Sequence, residues 1–238
     1  MQIDVVLTVD ELRQDQIINH TVIIIDVLRA SSTIVTALHK GFSMVYPVET
    51  IGQALSLFDS DTILAGERHC KNIHDFHYNN SPTQLLQSEP NQKKLILTTT
   101  NGTRAIQKAH RGAGILIGCF LNATACIQEA LSRPLDITLF CAGSRQKYAH
   151  EDGLAAGLLI HHAKSLVPNM RICDLGITLE NSYQQCAHSL HEQLRNSTTG
   201  KRLLSLNYDE DVSFCSQVDQ FELVPIVKDR RILSLSST

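Results

Sequence analysis

The stretch from residue 23 to 35 sets three β-branched apolar residues, Ile23, Ile24 and Ile25, directly ahead of Asp26, Arg29, Ser31, Ser32 and Thr33. The same change of character recurs along the chain. "LILTTT" runs into Asn101, Gly102, Thr103 and Arg104, "TILAG" runs into Glu67, and "ITLFCAG" ends on Gly143, shortly before Glu151 and Asp152. A polar exit that leads into a helix gathers free backbone N–H groups and the positive end of the helix dipole, which together favour an anion. Arg29 and Arg104 add planar guanidinium forks suited to phosphate, carboxylate or sulfonate oxygens. Taken singly, Ser31, Ser32, Thr99, Thr100 and Asn101 are ordinary helix caps. Two arginine-bearing exits on one sheet edge point instead to an anion site. Gly102 and Gly143 permit close backbone approach or a positive φ.

The acids fall at the same exits. Asp26 follows three isoleucines at a strand end, Glu67 ends another apolar run, and Glu151 and Asp152 open a helix. Carboxylates converging beside an anion site repel the anion unless a cation lies between them. Mg²⁺ meets that need, because it takes hard oxygen ligands, keeps several waters and bridges to phosphate. Asp26, Glu67, Glu151 and Asp152 are therefore the expected metal ligands.

Other groups carry less. His69, His74 and His77 fit no zinc spacing. Cys141 reads as a small core thiol rather than a nucleophile. An aspartyl-phosphate motif beginning at Asp26 would want a second acid where Leu28 stands. There is no P-loop and no dinucleotide glycine fingerprint.

These exits need elements to place them. Short β-branched runs at 2–9, 20–28, 43–48, 61–67, 93–100, 114–119 and 135–143 alternate with helical spacing at 32–40, 50–58, 102–110, 122–131 and 150–166. Residues 68–82 have no period and read as a long loop. Residues 178–206 read as mostly helical, and 222–233 as a strand, a turn and a second strand. Repeated strand–loop–helix units predict an α/β fold, layered α/β/α around a mostly parallel or mixed sheet, in which ligands gather beyond the carboxyl ends of the strands. The expectation is one domain over 1–238, with a division into lobes near 1–120 and 121–238 allowed.

The net charge of −3, the absence of Trp and the lack of a basic run argue against nucleic acid as a partner. No apolar run approaches the ~20 residues of a membrane span. Seven cysteines without close pairing suit reduced thiols in a cytoplasmic protein. The expected partner is a small anionic phosphorylated substrate, and a homodimer is left open.

Together, "DVLRASSTIVTAL", "LAGER", "NNSP", "TTTNGTRAI", "CAG", "HEDGLAAG" and "DVSFCSQVDQFELVP" resemble the 2-phosphosulfolactate phosphatase family, in the family's order and over nearly the whole chain. The resemblance implies an α/β, Mg²⁺-dependent hydrolase that turns 2-phosphosulfolactate into sulfolactate and phosphate. It also implies a place in sulfonate metabolism, towards coenzyme M or towards sulfolactate itself. On that reading Arg29 and Arg104, with Ser31, Ser32, Asn80, Ser81, Thr100, Asn101, Gly102, Thr103 and Gly143, hold the substrate. Asp26, Arg29, Arg104 and Asp152 carry the catalysis. The family's loop reads F-D-x-G-N-S-P, and here His77 and Asn79 stand where the pattern has Asp and Gly. That departure keeps two alternatives in view: a phosphatase for another small phosphorylated organic acid, and a non-catalytic anion-binding protein on the same scaffold.

Overall fold

The computed structural model describes residues 1–235. Its strands are β1 (Gln2–Val6), β2 (His20–Ile25), β3 (Met44–Val48), β4 (Thr62–Arg68), β5 (Lys71–Asn72), β6 (Lys94–Thr98), β7 (Gly114–Gly118), β8 (Asp136–Cys141), β9 (Arg171–Ile172), β10 (Pro225–Lys228) and β11 (Arg231–Ser234). Its helices are α1 (Ala30–Lys40), α2 (Ile51–Ser56), α3 (Pro82–Leu86), α4 (Gly102–Lys108), α5 (Ala123–Leu131), α6 (His150–Leu166), α7 (Asp174–Cys186), α8 (Leu190–Asn196), α9 (Thr198–Leu204) and α10 (Asp209–Cys215). Among the described residues no helix is long and apolar enough to cross a membrane.

The chain is α/β, as its sequence pattern predicts, around one mixed sheet ordered β5-β4-β6-β3-β11-β10-β7-β2-β8-β1-β9. Strand β2 lies between β7 and β8, parallel to both. Its pleat sends Val22 and Ile24 into the core under α1 and α4, and Ile23 and Ile25 into the core under α5 and α6. That double burial explains an uninterrupted isoleucine run. Each fully buried isoleucine stabilises the fold by roughly 1.5–3 kcal/mol.

The centre of the sheet departs from a simple parallel pattern. The hairpin β10–β11, which the sequence shows only as a strand, a turn and a strand, wedges between β7 and β3 and runs antiparallel to each. It joins a parallel block of β3, β6 and β4 to a second parallel block containing β7, β2, β8, β1 and β9. The two blocks therefore run in opposite senses, and in a flat sheet their carboxyl ends would face apart. They meet nonetheless: β6 and β8 stand six places apart in the order, yet the Asn101 Nδ2 donor after β6 lies 3.0 Å from the Gly143 carbonyl after β8. Twist works in this direction: at about 20–25° per neighbouring pair, the six pairings from β6 to β8 accumulate roughly 120–150° of rotation, which turns the reversed blocks' carboxyl ends back towards each other.

Gly66 lies within β4. It pairs with Thr98 inside the ladder, where a Cβ would strike the Thr98 carbonyl. The 68–82 segment is not wholly irregular: His69 and Cys70, both at positive φ, turn β4 back into β5.

Candidate active site

One cavity, of about 50 Å³ and partly open to solvent, collects the polar exits. Asp26, Glu67, Glu151 and Asp152 all face it, and all are buried, with at most 8% of their surface exposed. Arg29, Asn80, Thr100, Asn101 and Gly143 face it as well.

Asp26 sits just beyond the end of β2. Its Oδ1 accepts the Ala30 N–H at 3.2 Å, at the start of α1. Burial, then repulsion from Glu67 and Glu151, pushes its carboxyl up to about 7. Asp152, in the first turn of α6, accepts the Val27 N–H at 2.8 Å and the Gly143 N–H at 3.1 Å, one on each oxygen. It thereby pins the β2 exit to the β8 exit. Burial, then Asp26 and Glu151, raises its carboxyl well above the ordinary value. Glu67 does the matching work in the other block. Its Oε1 accepts the Thr100 N–H at 2.8 Å and hydroxyl at 2.9 Å, and its Oε2 accepts the Cys70 N–H at 2.6 Å. Glu151 accepts no hydrogen bond from the described residues.

Gly102 is required where it stands. A Cβ there would fall on the Ala30 methyl and 2.9 Å from Asp26 Oδ2. Its absence lets the first turns of α4 and α1 close around that carboxylate. Gly143 has φ +67, and a Cβ there would lie 2.6 Å from the Lys147 carbonyl.

Arg29 is fixed on several sides. Its Nη1 meets Asp211 at 2.5 Å, its Nη2 donates to Asn79 Oδ1 at 2.7 Å, and its guanidinium carbon lies 4.3 Å from the Tyr208 ring centre. Asp211, fully buried on α10, also accepts from the Ser81 hydroxyl at 2.8 Å and from the Thr83 N–H and hydroxyl at 3.1 and 2.6 Å.

Several expected residues lie elsewhere. Arg104 is outside the cavity: half-exposed, it pairs with Asp10 at 3.2 Å and borders a second cleft with Glu49 and Arg230. The reason is helical rotation. At 100° per residue, a side chain two positions past Gly102 projects from the opposite face of α4. Ser31 and Ser32 are spent on their own loop. The Asp26 N–H donates to Ser31 Oγ at 2.9 Å, and the Ser32 hydroxyl donates to the Val27 carbonyl at 2.8 Å. The Thr103 hydroxyl donates to the Thr99 carbonyl at 2.9 Å. Ser81 caps α3 and serves Asp211 rather than the cavity. Residue 77 stays out of the cavity, its Nδ1 accepting the Leu64 N–H of β4 at 3.1 Å. Cys141 is a buried core thiol, held well above its ordinary value by burial.

The sequence reading missed Arg145, Thr199 and Arg202, which also face the cavity, and Asn79, Tyr208 and Asp211, which hold Arg29. Asp211 had a signal as the first residue of "DVSFC", and Asn79 as the first of "NNSP".

The donor set bears on a metal directly. Glu67 and Asp152 commit both oxygens to loop groups. Asp26 Oδ2 and the whole Glu151 carboxylate remain without a donor. Two free hard carboxylates in an acid-rich pocket fit a divalent cation that keeps waters and also binds phosphate. They do not fit a four-carboxylate cage: among the described residues, no three His, Cys, Asp or Glu side chains gather closely enough to hold a metal ion.

The family profile described as 2-phosphosulpholactate phosphatase matches residues 6–230. A "probable 2-phosphosulfolactate phosphatase" of Caldanaerobacter subterraneus subsp. tengcongensis is 36% identical over 87% of this chain and 88% of its own. One of Thermotoga maritima is 37% identical over 86% and 88%. One of Clostridium acetobutylicum is 31% identical over 98% of this chain and the whole of its own.

Proposed function

From the premise that the chain belongs to the 2-phosphosulpholactate phosphatase family, and is thus a phosphoric monoester hydrolase, we propose that it hydrolyses 2-phosphosulfolactate to sulfolactate and phosphate with the aid of Mg²⁺. The observation that supports this most is the pairing, in one cavity, of two uncommitted carboxylates with a buried, rigidly held arginine. A bare anion sensor has no use for the acids, so the non-catalytic alternative is the weaker reading.

Asp26 and Glu151 would hold the cation, which supplies charge neutralisation at the phosphoryl oxygens and an activated water. Arg29 binds the phosphoryl group as a planar donor. Its three tethers remove the rotamer freedom that a flexible arginine would have to lose on binding. Asp152 and Glu67 act through the backbone, fixing the loops that carry Asp26, Gly143 and Thr100. Asn101 locks the β6 exit to the β8 exit, so the cavity keeps its shape without substrate. The reading places the protein in the cytoplasm and in sulfonate metabolism.

One observation favours a second substrate. Asn79, standing where the family pattern has Gly, donates no freedom to Arg29 but accepts its Nη2. This changes the environment of the phosphate-binding arginine, and with it the preferred phosphorylated acid. Phosphate release from 2-phosphosulfolactate and from other small phosphorylated acids, each with and without a chelator, tests both. The first reading requires 2-phosphosulfolactate to be the best substrate and the chelator to abolish release.

A further inference from the structure

The cavity carries more positive charge than Arg29 alone. Arg202, half-buried on α9, and Arg145 also face it. Arg145 rides a tight turn in which Ser144 and Lys147 exchange backbone hydrogen bonds at 2.8 and 3.0 Å. Arg29 has Asp211, but neither Arg145 nor Arg202 has a carboxylate within 4.0 Å among the described residues.

We infer that Arg145 and Arg202 form a second oxyanion subsite, which reads the acid group of the substrate remote from its phosphate and so sets specificity among phosphorylated acids. The inference rests on the phosphatase reading of the cavity but not on the identity of the substrate. Guanidinium forks suit a carboxylate or a sulfonate equally. Cation and phosphate take the carboxylates and Arg29, and the remote oxyanion takes Arg145 and Arg202. A small acid with its phosphate and acid groups on adjacent carbons bridges the two.

The test compares kcat/KM for 2-phosphosulfolactate with kcat/KM for an aryl phosphate, which carries no second acid, in the wild type, Arg202→Ala, Arg202→Lys and Arg145→Ala. Loss of a charged hydrogen bond predicts that the ratio falls about tenfold to a hundredfold in Arg202→Ala. Lys restores part of it, and the smaller fall belongs to the more exposed Arg145. An unchanged ratio in both alanine variants overturns the subsite. If the wild type prefers another phosphorylated acid, the proposed substrate is wrong, and the same ratio taken with that acid still decides the subsite. A variant that fails to fold shows itself by losing aryl phosphate hydrolysis as well. Arg202→Lys then stands in for it, with a partial fall in the ratio expected, and an unchanged ratio counts against the subsite.

Discussion

Asp211 reaches back 182 residues along the chain to meet Arg29 at 2.5 Å, with both side chains almost wholly buried. The helix that carries Asp211 thus decides where the Arg29 guanidinium stands. Asp211→Asn leaves Arg29 buried without its counter-charge. Breaking such a pair costs about 3–5 kcal/mol of stability, and kcat/KM should fall more than tenfold as the guanidinium loses its orientation. Urea unfolding and steady-state kinetics check this. Wild-type values for both would remove Asp211 from the account.

Arg104 gives the opposite expectation. It lies outside the cavity in an exposed ion pair with Asp10, and such pairs contribute roughly 0–1 kcal/mol. Arg104→Ala should leave kcat and KM within about twofold of wild type. A sharp rise in KM would mean that α4 presents this side chain to the substrate after all.

Asp26 makes metal-free stability depend on pH. An unfolded aspartate titrates near ~3.9, whereas burial lifts the folded carboxyl to about 7. Between these values the folded state binds more protons than the unfolded one, so stability falls as pH rises through the window. The stabilisation is complete below the unfolded value and gone above the folded one. In chelator-treated protein, Asp26→Asn should show a shallower decline by urea unfolding, with Asp152 supplying what remains. Identical slopes for wild type and variant would show that Asp26 is not the group responsible.

Gly102 is a steric prediction. Alanine there meets the Ala30 methyl and Asp26 Oδ2, and such overpacking costs about 1–3 kcal/mol. The accommodation must move α1, α4 or the carboxylate, so Gly102→Ala should lower kcat more than it lowers the melting temperature would explain. Full activity in a destabilised protein would mean that the cavity absorbs the strain elsewhere.

The residues legible from sequence were those whose chemistry and strand position are local. An isoleucine run buried on both faces that ends in Asp26, and an acidic pair opening α6, need no tertiary knowledge to read. Arg104 misled because an arginine after a strand exit reveals its helix but not its face. Ser31 and Ser32 misled because a hydroxyl serves its own loop as readily as a ligand. Asp211, Arg202 and Tyr208 were out of reach because α9 and α10 join the site only through long-range packing. Nor does a short tail hairpin announce that it sits in mid-sheet and reverses one block against the other.

The central claim is that Asp26 and Glu151 hold a divalent cation beside a phosphoryl group bound by Arg29. Crystals grown with Mn²⁺, in place of Mg²⁺, and inorganic phosphate test it most directly through the anomalous signal of the metal. The account predicts a metal peak between those two carboxylates, with phosphate against the Arg29 guanidinium. A metal peak on other residues, or phosphate bound with Arg29 uninvolved, would contradict it.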